Sequence, residues 1–110
     1  MIIDYSSNFN LQGKRYDWVK IAYILKELNK PMTANQINYC FNRIFKNSWC
    51  NSQRVAQLMK SRGQYFGMID QDKRRVRTTR TYYWKGGNII LHKTTKLNWQ
   101  NKIKTISDHY

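Results

Sequence analysis

The side chains in this sequence best equipped for chemistry are amides and cations, and they crowd into residues 51–80. On a helical wheel with Val55, Leu58 and Met59 turned down, Gln53, Gln57 and Lys60 point up, flanked by Arg54, Ala56 and Ser61, with Asn51 and Ser52 at the amino end. These residue types read bases: glutamine can bond adenine through both amide atoms, arginine can fork onto guanine, and a small alanine can meet a thymine methyl. Any exposed helix face is polar, so one glutamine alone says little. This face is more specific because no acid occurs from residue 51 to residue 69. A second group, Lys73, Arg74, Arg75, Arg77 and Arg80, has only Asp70 and Asp72 beside it. Charge runs are often only a solvated surface, but cations packed this closely repel one another and favour a polyanion.

Catalytic chemistry finds less support. The carboxylates are Asp4, Asp17, Glu27, Asp70, Asp72 and Asp108, and the pair Asp70 and Asp72, the only candidate for metal-assisted phosphodiester cleavage, sits in a turn among cations. The two histidines have no Ser, Cys or Asp at a triad spacing, and there is no Gly-rich phosphate loop. Cys40 and Cys50 with His92 and His109 could assemble a zinc site, but no CxxC or HxxxH pair supports it and plain packing is the stronger reading. Both thiols are expected to be reduced. The chain is therefore expected not to be an enzyme and to need no cofactor or metal, and no small-molecule ligand is expected.

Composition sets the frame for these side chains. A chain of 110 residues makes one globular domain, and 41% hydrophobic with 15% aromatic residues excludes a disordered tail. Twenty Lys+Arg against six Asp+Glu leave a net charge of +14, so nucleic acid is the leading partner and an anionic membrane surface the second. No long apolar run is present and Met1-Ile2-Ile3 is followed at once by Asp4, so the expectation is a soluble intracellular protein without a membrane partner. The abundance of Asn, Lys, Ile and Tyr suits an AT-rich coding genome, such as that of a virus.

The elements that must position the site follow from local signals. Residues 1–15 read as an arm with a short strand at 2–5. Asp17 is expected to cap a helix over 17–29, with Trp18, Ile21, Ala22, Leu25 and Leu28 as its buried stripe, ended by Asn29-Lys30-Pro31. Thr33-Ala34-Asn35-Gln36 is a capping box, so a second helix starts at Ala34 and carries Ile37, Cys40, Phe41, Ile44 and Phe45 inward. Asn51 or Ser52 caps a third, which Gly63 is expected to end at positive φ. Two β-like runs, 65–69 and 75–84, follow around the turn 70–74. A period of two sends Arg75, Arg77, Thr79, Thr81 and Tyr83 outward and Val76, Thr78, Tyr82 and Trp84 onto the helices, with Arg80 out of place unless it lies at a bulge or snorkels. Residues 86–110 form an extension: a strand at 88–93, then a helix capped by Asn98. On that helix Trp99, Ile103 and Ile106 make a stripe that either packs on the first helix or pairs with a second copy as a homodimer.

Residues 16–85, and SQRVAQLMKSRGQYFGMIDQDKRRV above all, resemble the recognition helix and wing of winged helix-turn-helix DNA-binding domains of bacterial and viral origin. The resemblance implies an α+β fold: a three-helix winged helix-turn-helix with a basic β-hairpin wing and an extra carboxyl-terminal strand and helix. Asp72-Lys73-Arg74 is similar to the Asp-x-Arg of MarR-type wings, which implies that Arg74 reaches the DNA backbone or minor groove. The chain is shorter than MarR proteins and lacks their long flanking dimerisation helices, so a ligand-responsive repressor is not implied. The function expected is double-stranded DNA binding with modest sequence preference, as a transcriptional regulator or an architectural coat. Two alternatives stand beside it. One is a single-strand or RNA binder that stacks bases on Tyr65, Phe66, Tyr82, Tyr83 and Trp84. The other is a viral module that blocks a host nucleic-acid enzyme.

Overall fold

The computed structural model describes residues 2–7, 11, 13–46, 50–71 and 79–107. In order, the elements are β1 (Ile2–Tyr5), a 3-10 turn (Lys14–Tyr16), α1 (Asp17–Leu28), β2 (Met32–Thr33), α2 (Ala34–Ile44), α3 (Ser52–Lys60), β3 (Phe66–Gln71), β4 (Thr79–Trp84), β5 (Asn88–Leu91) and α4 (Lys93–Ser107). The protein is thus mixed α+β. Strands β2, β4 and β3 form an antiparallel sheet in that order, and β1 pairs in parallel with β5.

The first helix is the centre of the molecule. Val19, Ile21, Ala22, Tyr23, Ile24 and Leu25 are all buried, so α1 is covered around nearly its whole circumference rather than along the single stripe its spacing suggests. Helices α2, α3 and α4 and strand β4 all pack on it. Asn29 closes α1 in the left-handed region at φ 52°, its N–H bonded to the Leu25 carbonyl at 2.9 Å, a conformation asparagine tolerates better than most residues.

Asp17 does not cap this helix. It is the first helical residue, Tyr16 occupies the cap position without a side-chain bond, and the Asp17 carboxylate is turned inward to meet cations. The capping box on α2 forms as its sequence dictates: Gln36 N–H donates to Thr33 Oγ1 at 3.2 Å and Thr33 N–H to Gln36 Oε1 at 2.9 Å. Ile37, Cys40, Phe41, Ile44 and Phe45 are buried. Asn51 rather than Ser52 caps α3, its Oδ1 accepting the Arg54 N–H at 2.8 Å. Gly63 does not end that helix. The last turn closes at Ser61 with right-handed backbone, and Gly63 lies in the following turn without a positive φ.

The two-residue β2 has no periodicity to betray it; it is defined by its partners, Met32 opposite Tyr82 and Thr33 opposite Thr81. Strand β3 runs on through Asp70 and Gln71, which the sequence places in a turn, and pairs with β4 without a break from Phe66–Trp84 to Gln71–Thr79. Thr81 shares the face of Tyr83, as the alternation expects, but is buried there because β4 is the middle strand and Thr33 and Ile69 flank it on both sides.

The last helix begins at Lys93, five residues before Asn98, with His92 Nδ1 accepting the Thr94 N–H at 3.3 Å. Trp99, Ile103 and Ile106 are buried within the same chain. The Trp99 ring meets Tyr23 of α1 edge-on at 5.5 Å and Phe45 at 5.2 Å. The stripe named for a homodimer is therefore already spent inside the monomer, and it offers no surface to a second copy.

Candidate functional site

The third helix presents the amide face as its spacing dictates, because Val55 and Met59 are anchored in the core with Leu58 half-buried beside them. Asn51, Gln53, Gln57, Lys60 and Ser61 are exposed, and Ser52 and Ala56 half-exposed. Ser61 is partly engaged, its hydroxyl donating to the Leu58 carbonyl at 3.0 Å and accepting from Arg62 at 3.2 Å. Gln53, Gln57 and Lys60 thus form an outward row along one side of α3, one helical turn apart.

Arg54 leaves this face. Its guanidinium donates to Asp17 Oδ2 at 3.1 Å and lies 3.4 Å from the Lys14 carbonyl oxygen. Asp17 is almost wholly buried and also faces Lys20 Nζ at 3.9 Å, so one inward carboxylate holds two cations and fastens α3 to the start of α1. Removing water from Lys20 pushes its ammonium pKa below the ordinary value, opposed by the Asp17 charge. In this arrangement the Arg54 guanidinium is engaged as a cross-tie between α3 and the start of α1. The sequence conceals this because the partner is thirty-seven residues away.

Arg80 moves the other way. It sits on the regular β4 ladder with no bulge, exposed, on the same face as Tyr82. With Asn35 of α2 and Ser52, Gln53 and Ala56 of α3 it lines a groove of about 390 Å³ where the amino ends of the two helices meet the sheet. The alternation of β4 alone places Arg80 on the helix side; what periodicity could not reveal is that the residue is nonetheless exposed there, along the groove. The 3-10 turn adds two further exposed cations, Lys14 and Arg15, beside α3 through the Lys14 to Arg54 contact. Lys73, Arg74, Arg75 and Arg77, with Val76, Thr78 and the tip of the hairpin, lie outside the described residues.

The aromatic residues are mostly occupied. Trp18 and Tyr65 stack at 5.4 Å, Tyr65 and Trp84 at 6.0 Å, and Arg62 caps the pile 4.9 Å above Trp18. Phe66 and Tyr82 are buried, which leaves Tyr83 as the most open member of the group proposed for base stacking. Lys85 is likewise committed, donating to the Gly63 carbonyl at 2.7 Å.

Cys40 and Cys50 are free and buried, and burial pushes the Cys40 thiol up to about 11. Cys50 is framed by Asn42, which donates to its carbonyl and accepts its N–H, each at 2.9 Å. Among the described residues no three of His, Cys, Asp and Glu come together as a metal site would need; His109 lies outside them. Among the same residues no helix is long and apolar enough to cross a membrane. What the arrangement can do is present amides and cations, without a carboxylate between them, to a polyanion with readable edges. No family model, curated protein or solved structure matches the chain.

Proposed function

We propose that this chain is a small winged-helix protein that binds double-stranded DNA, with α3 in the major groove and the β3–β4 hairpin on the backbone or minor groove. The observation that carries the reading is the row Gln53, Gln57 and Lys60 on a helix free of acids, standing beside Arg80. Further support comes from the order helix, two-residue strand, helix, helix, hairpin, with that short strand closing the sheet as β2-β4-β3. This is the order of winged-helix domains.

With Arg54 withdrawn, the row that faces bases is short, while cations are plentiful at a net charge of +14. Binding is therefore broad with modest preference, in keeping with an architectural or weakly selective regulatory role inside the cell. Glutamine amides supply the preference; Lys60, Arg80, Lys14, Arg15 and the hairpin cations supply the affinity through phosphates. Single-strand stacking is the weaker reading, since Tyr65 and Trp84 already stack on each other and Phe66 and Tyr82 are buried.

The test is titration of the protein with random duplex and with a duplex pool selected for binding, at two salt concentrations. With roughly six to eight phosphate contacts, affinity for both falls by about a thousandfold from low to near-physiological salt. The selected pool keeps an advantage that Gln53→Ala with Gln57→Ala abolishes. A flat salt response, or preference for single strands in direct competition, overturns the proposal.

A further inference from the structure

The Asp17 carboxylate lies inside the fold and yet touches the helix that carries the amide row. Arg54 is the only arginine within α3, and its guanidinium is bonded to Asp17 Oδ2 at 3.1 Å and lies 3.4 Å from the Lys14 carbonyl oxygen, with its Nε buried. Arginine is the side chain that forks onto guanine O6 and N7 in a major groove. To do so here, Arg54 would have to leave a buried carboxylate facing Lys20 Nζ alone at 3.9 Å, a cost at least as great as what one arginine–guanine fork returns.

What α3 keeps for base edges is therefore narrow in its chemistry. Gln53 and Gln57 are both exposed, one turn apart. Their separation along the helix, about 6 Å, is close to two base steps of about 3.4 Å each. A glutamine amide donates and accepts at once, which matches N7 and N6 of adenine; guanine sets two acceptors against it, so one amide atom meets its like. Ala56, half-exposed and beside Gln53 along the groove, offers a methyl-sized contact to thymine. Lys60 stands at the last position of the helix, where an ammonium on a flexible stem suits a phosphate.

We propose that Asp17 is a specificity-determining residue of the duplex site: by holding Arg54 it keeps a guanine reader out of the major groove, and the site takes A·T-rich duplex with adenines read by Gln53 and Gln57. The inference rests on the duplex-binding reading and adds the bases that the site selects. Asp17 acts through Arg54 and touches no base, so it is a positioning residue.

The test is selection from a random duplex pool by the full chain and by Asp17→Asn, together with NMR of the Arg54 Nε–H in the wild-type chain. The wild-type pool is expected to be enriched in adenine at two positions about two steps apart. Replacing those adenines with 7-deazaadenine, which lacks the N7 acceptor, weakens binding about tenfold, whereas a preference read from the minor groove survives the change. Asp17→Asn keeps the size of the side chain but removes the charge that holds Arg54, and is expected to select guanine beside the adenines. That variant also deprives buried Lys20 of its counter-charge and can fail to fold, so the wild-type Nε–H resonance carries the test independently: it is expected to hold its position when A·T-rich duplex is added. Movement of that resonance on binding, guanine enriched by the wild-type chain, indifference to 7-deazaadenine, or a folded Asp17→Asn chain with unchanged preference each overturns the inference and leaves the duplex reading standing. Failure to bind any duplex removes both.

Discussion

Arg54 and Gln53 are neighbours in sequence, the first turned to the buried Asp17 and the second exposed, and substitutions separate them. Arg54→Ala leaves Asp17 buried beside Lys20 alone; because the Arg54 side chain is 35% exposed, the cost belongs at the lower end for a broken buried pair, roughly 2–3 kcal/mol by urea unfolding. Asp17→Ala combined with Arg54→Ala costs less than the sum of the two singles by roughly 2 kcal/mol, which a double-mutant cycle measures. Gln53→Ala with Gln57→Ala changes stability by only about 0.5 kcal/mol, because both are exposed, and alters which duplexes are preferred. Equal loss on every duplex would remove the base-reading role. Cys40 reports on packing: its thiol is raised from 9.0 to about 11 by desolvation, so the folded state holds that proton more tightly than the unfolded chain. Stability from this group is complete below pH 9 and falls as pH rises through about 11. At neutral pH, iodoacetamide should label Cys40 only as fast as the protein opens.

At the scale of elements, the legible signals were those written within a few residues. The α2 capping box needs only Thr33 and Gln36, and Thr33→Ala should cost about 1 kcal/mol, read as a lowered urea midpoint with an unchanged slope. The inward positions of α2 were legible for the same reason, and the start of α3 to within the choice between Asn51 and Ser52. What failed were inferences in which a residue's local preference lost to a distant partner. Asp17 is a good capping type, but a buried carboxylate facing Arg54 and Lys20 serves a tertiary contact instead. Gly63 looked like a terminator, yet the helix had already closed at Ser61. Asn98 looked like a cap, yet His92 starts the helix earlier. The site was legible in its outward half, Gln53, Gln57 and Lys60, since the opposing apolar residues fix the wheel. The tie of Arg54 to Asp17 and the flanking Lys14 and Arg15 were missed, and the sequence leaves Arg80 open between a bulge and a snorkelling side chain, because these positions depend on how α1, α3 and β4 meet.

For the molecule as a whole, charge and closure dominate. Twenty basic side chains on a 110-residue fold make self-repulsion a standing cost, so added salt should stabilise the free protein while weakening its hold on duplex, a pairing of trends that thermal melts and binding assays check together. Closure comes from β1 on β5, which seats Ile3 beside Ile89 in register and under cover. Ile3→Ala should cost about 2–4 kcal/mol by urea unfolding although it lies in what reads as a loose arm. An unchanged midpoint would show that this strand adds nothing to the core.

That same parallel pairing has a temporal side. During synthesis the segment 2–5 leaves the ribosome long before 88–91 exists, so Ile3 must wait, uncovered, while the residues between the two strands are translated. Contacts of such long sequence separation form late, and a nascent chain stalled before Asn88 would display an adhesive strand with nothing to clasp. Ribosome-arrested chains cut off at residue 87 should accordingly be digested by protease within the first residues, and chains extended past α4 should resist.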